Sequence, residues 1–482
     1  MSITHALQSA KTGLLVNGRR AETTSANVAN ANTPGYVRRS LSLAENLLDG
    51  ANAGVKSDGL VRATNPYLTE TRRELASELA MAQTQSAAWQ RLSTAFGNDS
   101  DGTGLFSAYQ SLETALDRAA NTPESSTFLR TAFDAAKDIV VEFADLSQTA
   151  RSMRAEADRE IAEGVSVVNA ALKSIEKLNG RISALDQSSG RAAGLVDERE
   201  RLLDQIAEFM PVKSVDRGNG NIDVMTNEGV FLLVGEAREV TFTPGQAFGP
   251  GASMESGHLS GLAVEGVDLT PAASSYAAIS SGRFAALFTL RDSDAPSFTN
   301  RLDALATDLV ERFSGDAVDP TLTAGEPGLF VDPGPSGEAG IAGRLQLNEA
   351  VDPDQGGELR RLRDGLGSAV AGPPGDGSVL RQLHETLTNA RPVAANGFSG
   401  NYSGSAAVAQ VASLTGQARI RNESIESSMQ TQYGVASEAE LSSTGVNVDA
   451  EMQELLLIEQ AYAANARVVQ TLGQMVDQLM QI

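Results

Sequence analysis

The chain has 482 residues, enough for about three domains of ordinary size, and its 41% hydrophobic and 21% charged residues are those of a folding polypeptide. A formal net charge of -23 excludes a general nucleic-acid binder, which needs clustered Lys and Arg to displace counterions, and the same sign opposes adsorption to anionic lipid. With no cysteine, disulfides, zinc–thiolate centres and thiol nucleophiles are excluded as well.

The first segment has helical period. Ile3, Leu7, Ala10, Leu14, Ala21 and Val28 fall on three- and four-residue steps, with Asn17 and Thr24 as polar members of the seam. Polar Thr4, His5, Gln8 and Ser9 interrupt any apolar run there, so no cleavable secretory signal is expected, and no stretch reaches the roughly 18 apolar residues of a membrane span. The helix is predicted to stop at Asn30-Ala31-Asn32-Thr33-Pro34-Gly35-Tyr36, because Pro34 disfavours a helical Thr33 and Gly35 supplies turn freedom.

Residues from about Val37 to Val61 read as extended, punctuated by Gly50, Gly54 and Gly59. A helix follows in which Leu68, Leu75, Ala82, Trp89 and Phe96 recur every seventh residue. A shorter amphipathic helix carries Leu105, Tyr109, Leu112 and Leu116, and Thr122-Pro123-Glu124 reads as the start of the next, with Thr122 as cap. That next pattern is the longest in the chain. It runs from Leu129 to Met153 without a miss and resumes from Ile161 to Leu185 after a polar stretch, so a rod is indicated. Asp197 with Glu198 and Glu200 reads as the solvated face of a further helix.

The texture changes near Pro211. Asn221 to Val234 predicts a hairpin turning at Asn227-Glu228-Gly229; Phe298 to Phe313 returns to helical spacing, and residues from about Ser314 to Gly377 are rich in prolines and turns. Helices resume near Ala406. In the last segment Leu455, Tyr462, Val469 and Val476 occupy one heptad position and Ile458, Leu472 and Leu479 the other, beside polar Asn465; Asn447 or Asp449 is the candidate cap. An isolated helix of this kind is marginal in water. It needs a partner, and the N-terminal helix together with neighbouring copies of the chain is the natural one.

Chemistry-bearing motifs are thin. His5, His258 and His384 lie in unrelated segments, His384-Glu385 lacks the second His of a zincin, and Asp352, Asp354 and Gly356 form a poor calcium loop around Pro353. No catalytic residue, metal or cofactor is expected.

Ser25-Ala26-Asn27-Val28-Ala29-Asn30-Ala31-Asn32-Thr33-Pro34-Gly35-Tyr36 resembles the N-terminal signature of the flagellar rod, hook and hook-associated axial proteins. Gly445-Val446-Asn447-Val448-Asp449 and Gln460-Ala461-Tyr462-Ala463-Ala464-Asn465-Ala466-Arg467-Val468 resemble the C-terminal signature of the same family. The helical block from about Asn65 to Met210, and Gly194-Leu195-Val196-Asp197-Glu198-Arg199-Glu200-Arg201-Leu202-Leu203-Asp204 within it, resemble the hook-associated members, whereas Ser314-Gly315-Asp316 departs from their pattern.

The resemblance implies a mainly α fold with an inserted β-containing domain. The expected parts are a coiled-coil-like pair of terminal helices (1–36 with 445–482), a helical rod (37–210 with about 295–315 and 400–444) and an outer mixed or β domain (about 211–294 and 316–399). It implies a secreted structural subunit of the extracellular flagellum at the hook–filament junction, exported by the flagellar type III apparatus; a hook or distal-rod subunit is the alternative. The implied partners are further copies of the chain in a ring or helical layer, the hook protein below, a second junction protein and the filament above, and a cytoplasmic export chaperone at the C-terminal helix. The interface residues expected on these grounds are Ile3, Leu7, Leu14, Val28, Asn30, Pro34, Gly35 and Tyr36 at one end. At the other they are Leu455, Ile458, Tyr462, Asn465, Val469, Leu472, Val476 and Leu479.

Overall fold

The computed structural model describes residues 3–48, 51–97, 102–271, 273–323, 325–335, 337–395 and 397–480. Helix α1 (Ile3–Asn30) ends where the sequence breaks it: the Thr33 amide donates to the Asn30 carbonyl (2.9 Å), the Tyr36 amide to that of Thr33 (3.1 Å), and Gly35 takes a φ of 76°. The extended stretch is an antiparallel hairpin, β1 (Arg39–Leu48) and β2 (Ala51–Arg62), lying along α1. Gly54 permits that approach, since a Cβ there would stand 2.9 Å from Ser9 Cα.

Helix α2 (Pro66–Phe96) is capped by the Asn65 side chain, with proline in its first turn. Helix α3 (Gly104–Asn121) turns back from it, and α4 (Ser126–Ser183) follows as one continuous helix of 58 residues. The start of α4 differs from the sequence reading. Thr122 closes α3, its amide donating to the Arg118 carbonyl, and Ser125 is the cap, its hydroxyl accepting from Phe128 N at 3.4 Å. Pro123 sits in the connecting turn, and the cap falls on the next hydroxyl that can reach a free amide of the first turn.

Helix α5 (Gly190–Phe209) leads into a four-stranded antiparallel sheet of β3 (Val212–Gly218), β4 (Asn221–Thr226), β5 (Phe231–Val234) and β6 (Glu236–Ala237). The expected hairpin is β4–β5, with Val224 opposite Leu233. Three short strands, β7 (Val240–Thr241), β8 (Ala263–Val264) and β9 (Val267–Asp268), form a second sheet. Helices α6 (Gly282–Thr289) and α7 (Ala295–Arg312) flank a π-helical turn at Leu290–Asp294. Beyond them come a strand pair, β10 (Phe330–Val331) with β11 (Gln346–Leu347), the short helices α8 (Arg361–Asp364) and α9 (Ser378–Thr388), and the hairpin β12 (Arg391–Ala395)–β13 (Phe398–Tyr402). Helix α10 (Gly404–Thr444) returns along α2, and α11 (Val448–Met480) closes the chain. The fold is mainly α, with long helices at both ends and a β-containing middle.

Among the described residues a large hydrophobic core joins α2 to α10 and the sheets between them, without α1 or α11. It runs from Trp89 and Phe96 of α2 through Phe143, Ile161 and Ile175 of α4 to Leu302 of α7 and Val411 of α10, and it takes in Val224, Leu233 and Val264 of the sheets. The sheets are held to α4 by its own polar side chains. Asn169 both donates to and accepts from Val240, at 2.8 and 2.9 Å, and Asn179 donates to the Ile222 carbonyl at 2.8 Å.

Two members of the polar stretch that interrupts the α4 pattern, Arg154 and Asp158, face inward. Arg291, fully buried in the π-turn, donates to Asp158 (2.6 Å), Asp292 (2.8 Å) and the Ser260 carbonyl (3.0 Å), and its guanidinium lies 4.7 Å from the Phe288 ring centre. Arg154 donates to the carbonyls of Arg291 (2.8 Å) and Ala252 (2.6 Å), while Asp158 accepts from Gly245 N (2.8 Å). A buried charge deprived of its partner is expensive. Asp158→Ala is therefore expected to cost about 3–5 kcal/mol in denaturant unfolding of the purified chain, and adding Arg291→Met should recover much of that loss. A single variant as stable as the native chain would show that the cluster contributes nothing.

Candidate assembly interface at the chain ends

Gly445 breaks the path from α10, and the Asn447 carboxamide then accepts from Ala450 N at 3.1 Å, so Asn447 rather than Asp449 caps α11. Asp449 and Glu451 in the first turn suit the positive end of the helix. From there α11 runs along α1. Ile458 is buried in the seam; Leu455, Asn465, Val469 and Leu472 are half-buried, as are Ile3, Leu14, Val28, Asn30 and Tyr36. Leu7, Pro34, Gly35, Tyr462 and Val476 are exposed, and the Leu479 side chain lies outside the described residues. The seam also has a close approach: a Cβ on Gly13 would stand 2.8 Å from the Asn465 amide nitrogen, so a larger residue there would oblige the Asn465 side chain to shift. Asn17 is buried beside it.

The centre that joins the two ends is Asn27. Its amide donates to the Arg39 carbonyl (2.8 Å) and to Glu451 of α11 (3.0 Å), while its oxygen accepts from the Tyr36 hydroxyl (2.9 Å) and Arg39 N (3.1 Å). All four hydrogen-bonding positions of a buried carboxamide are thereby filled. Arg38 adds an ion pair to Glu451 (3.2 Å), and its amide donates to the Thr444 carbonyl (2.9 Å); Arg20 pairs with Glu454 further along. Burial raises the Tyr36 phenol above its ordinary pKa.

Asp197 extends this centre into the body. It is buried and accepts from Arg39 (2.6 Å) and Arg62 (2.9 Å), one arginine from each strand of the hairpin. One turn on, Glu200 and Asp204 receive Arg73 (2.6 Å each), and Asp204 also receives Arg72 (2.8 Å). The acidic face of α5 is thus an arginine-binding stripe, which corrects the reading of Asp197 and Glu200 as a solvated face. Asp197, Glu200 and Asp204 are spaced for one side of a helix, and arginines crowd the segments from Arg38 to Arg73. That match is the signal which could have identified the stripe. Asn27 is missed when the seam is read from apolar spacing alone.

Pairing with α1 leaves much of α11 uncovered. At 100° per residue, Met452, Leu456 and Ala463 lie on one flank of the seam, and Leu457, Ala464, Val468 and Met475 on the other. All seven are exposed, with Leu456 and Leu457 at 57% and 59%. On the first flank a groove of about 440 Å³ opens between the helices, lined by Asn17, Gly18, Ala21, Leu456, Glu459 and Tyr462 among others. Leu15 of α1 is 63% exposed. A contiguous apolar surface of this kind marks a site of association.

Elsewhere the candidate chemical groups are engaged locally or stand apart. His258 contacts Ser256 (2.7 Å), and Asp352 caps a turn by accepting from Asp354 N (2.9 Å). Among the described residues no group of three or more His, Asp or Glu is placed to hold a metal, and no helix is long and apolar enough to cross a membrane.

Because Asn27 must donate to Glu451, Asn27→Asp would set two carboxylates against each other. Faster hydrogen exchange of the first turns of α11 is expected in that variant, with protection regained when Glu451→Gln is added; unchanged exchange in the single variant would remove Asn27 from the joint.

Comparison with known proteins places these features. Residues 89–316 match the flagellar hook-associated protein FlgK helical domain, residues 7–36 the flagella basal body rod protein family, and residues 438–482 the flagellar basal body rod FlgEFG protein C-terminal family. The chain is 21% identical to flagellar hook-associated protein 1 of Bacillus subtilis, over 98% of this chain and 97% of that one, and 23% identical to its namesake in Escherichia coli, over 99% of each. The flagellar hook junction protein FlgK from Burkholderia pseudomallei aligns in structure with a TM-score of 0.44 at 17% identity, covering 54% of this chain and 46% of that one. Over nearly its whole length the chain is similar to flagellar hook-associated protein 1, its two ends match families of the flagellar basal body rod, and it is a structural component of the bacterial flagellum.

Proposed function

We propose that the chain is the adaptor on which the filament is built, polymerising through α1 and α11 into a ring or helical layer at the distal end of the hook. The observation that carries this reading is the apolar surface of α11 on both sides of its seam with α1. A helix held by one partner and apolar on both flanks is completed when neighbouring copies cover it. Residues 1–36 with 445–482 form the polymerising unit. Residues 37–210, with about 295–315 and 400–444, form the rod outside it, and about 211–294 and 316–399 form the outward part.

The hook protein lies below this layer, and a second junction protein and the filament above. The chain reaches its place by type III flagellar export, and a cytoplasmic chaperone covers α11 beforehand. Leu455, Ile458, Tyr462, Val469, Leu472, Val476 and Leu479, with the outward Leu456, Leu457, Val468 and Met475, are the residues for which chaperone and subunit compete. The role is mechanical, with no catalytic step, cofactor or metal.

Deletion of the gene tests the place in the order of assembly: cells should keep intact hooks, lack filaments and shed flagellin into the medium. Missing hooks would assign the chain to the hook or distal rod instead. Complementation with Leu457→Asp tests the mode of assembly. That variant should fold, with the native circular dichroism and thermal transition, yet fail to restore filaments, because a carboxylate would enter an apolar contact. Full restoration would take α11 out of the contact between copies.

A further inference from the structure

Four Asn-Gly pairs occur in the chain, at Asn17, Asn179, Asn219 and Asn396. An asparagine before glycine can react with its own backbone, because no Cβ on the following residue crowds the approach of that residue's nitrogen to the carboxamide. The fold treats these pairs differently. Asn17 is buried in α1 and Asn179 in α4, and the glycine after each lies inside the same helix. Asn179 is further engaged, donating to the Ile222 carbonyl (2.8 Å) and accepting from Arg199 (3.0 Å). Asn396 lies outside the described residues.

Asn219 is exposed in the two-residue turn that joins β3 to β4, where Gly218 pairs with Asn221. Its φ is 51° and that of Gly220 is 74°, the signs of a type I′ hairpin turn. Among the described residues neither its carboxamide nor the Gly220 amide has a hydrogen-bond partner. The turn is fastened at one point: the Gly220 carbonyl accepts from buried Arg199 at 2.6 Å. Closing a ring between the Asn219 Cγ and the Gly220 nitrogen needs an Asn219 ψ of about −120°, the value of a type II′ turn. Types I′ and II′ both suit a two-residue hairpin and both keep a positive φ at the first central residue. Rotation of the one peptide plane between Asn219 and Gly220 interconverts them, at the loss of the Arg199 bond. In α1 or α4 the same rotation would break the helical ladder.

We propose that Asn219 is a site of spontaneous covalent modification, with water as the co-reactant and Arg199 as the latch that sets its pace. The Gly220 nitrogen loses its proton and bonds to the Asn219 Cγ, the bond from Cγ to the carboxamide nitrogen breaks, and ammonia leaves carrying a proton in return. Water then opens the succinimide. Opening at Cγ gives aspartate; opening at the main-chain carbonyl gives isoaspartate, whose backbone runs through the former side chain. The sum is one water consumed and one ammonia released, with no oxidant or reductant. The lengthened backbone of isoaspartate no longer fits a two-residue turn, so the Gly220 carbonyl leaves Arg199 and β3 loosens from β4. The turn also abuts the end of α4, since a Cβ on Gly220 would stand 2.6 Å from Ile182 and 2.5 Å from Gln187, which leaves no room for the extra atom on that side. The extent of conversion records the age of the chain.

The full chain, purified and kept folded for weeks in mildly alkaline buffer, provides the test by peptide mass mapping. The peptide spanning residue 219 should appear in two separable forms of equal mass, each heavier than the original by the difference between a hydroxyl and an amino group. Conversion there should exceed that at Asn17 and Asn179 roughly tenfold or more, because opening those helices costs far more than turning one peptide plane. Conversion at Asn219 no faster than at Asn17 and Asn179 would overturn the proposal. Hydrogen exchange in β3 and β4 should quicken as the isoaspartate form accumulates. Asn219→Gly suits the positive φ and has no carboxamide, so its exchange should stay constant over the same weeks. Equal quickening in that variant would overturn the link between modification and loosening.

Discussion

A long amphipathic helix held by a single neighbour cannot bury an apolar surface that reaches most of the way round it. Helix α11 is in that position. Its 33 residues run along α1, and Asn465 against Gly13 brings the two helices close, yet Met452, Leu456, Leu457, Val468 and Met475 stay in water. The hydrophobic effect scales with the area removed from water, so the gain that α11 forgoes in a single chain is what remains for contact between chains.

The joint between pair and body is built differently from the core. The body is closed by interdigitated apolar side chains, with Phe143, Phe298 and Phe313 all fully buried. The terminal pair is attached through directional polar contacts: Asn27 with four hydrogen bonds, Glu451 receiving Asn27 and Arg38, and Asp197 clamping both strands of the hairpin. Packed apolar surfaces tolerate sliding, whereas charge-assisted hydrogen bonds of fixed geometry define an orientation. A subunit whose ends must meet neighbours in one register gains from such a joint. Its composition also explains why a flagellar signature rich in Asn and ending in Tyr36 sits at the end of α1, where it adds little to helix stability.

Much of this was legible from spacing. The three- and four-residue steps gave α1, α4 and α11, the Asn447 signal gave the last start, and the alternation from Asn221 gave β4–β5. Polar residues were harder. Asp197 and Glu200 have the sequence appearance of a wet face, and their arginine partners are more than a hundred positions away. Asp158 interrupts a pattern that is in fact continuous, because its partner Arg291 is equally distant. Apolar periodicity reports which face of a helix is buried but says nothing about what a polar side chain finds there. On α11 the heptad positions identify the seam with α1, and which residues form the flanks emerges only when that seam is filled.

The charge of the chain completes the picture. Exposed leucines on α11 invite association of any kind, and a net charge of -23 opposes it between free chains, which favours solubility before assembly. In the proposed layer, with copies side by side, the same repulsion must be overcome. At physiological salt, charges interact only over about 8 Å, so the total matters less than what each patch faces. The apolar flanks of α11 satisfy both needs, because the gain from covering them is local and does not depend on the total charge. The average field keeps strangers apart, while the local pattern is attractive only to a correctly placed copy.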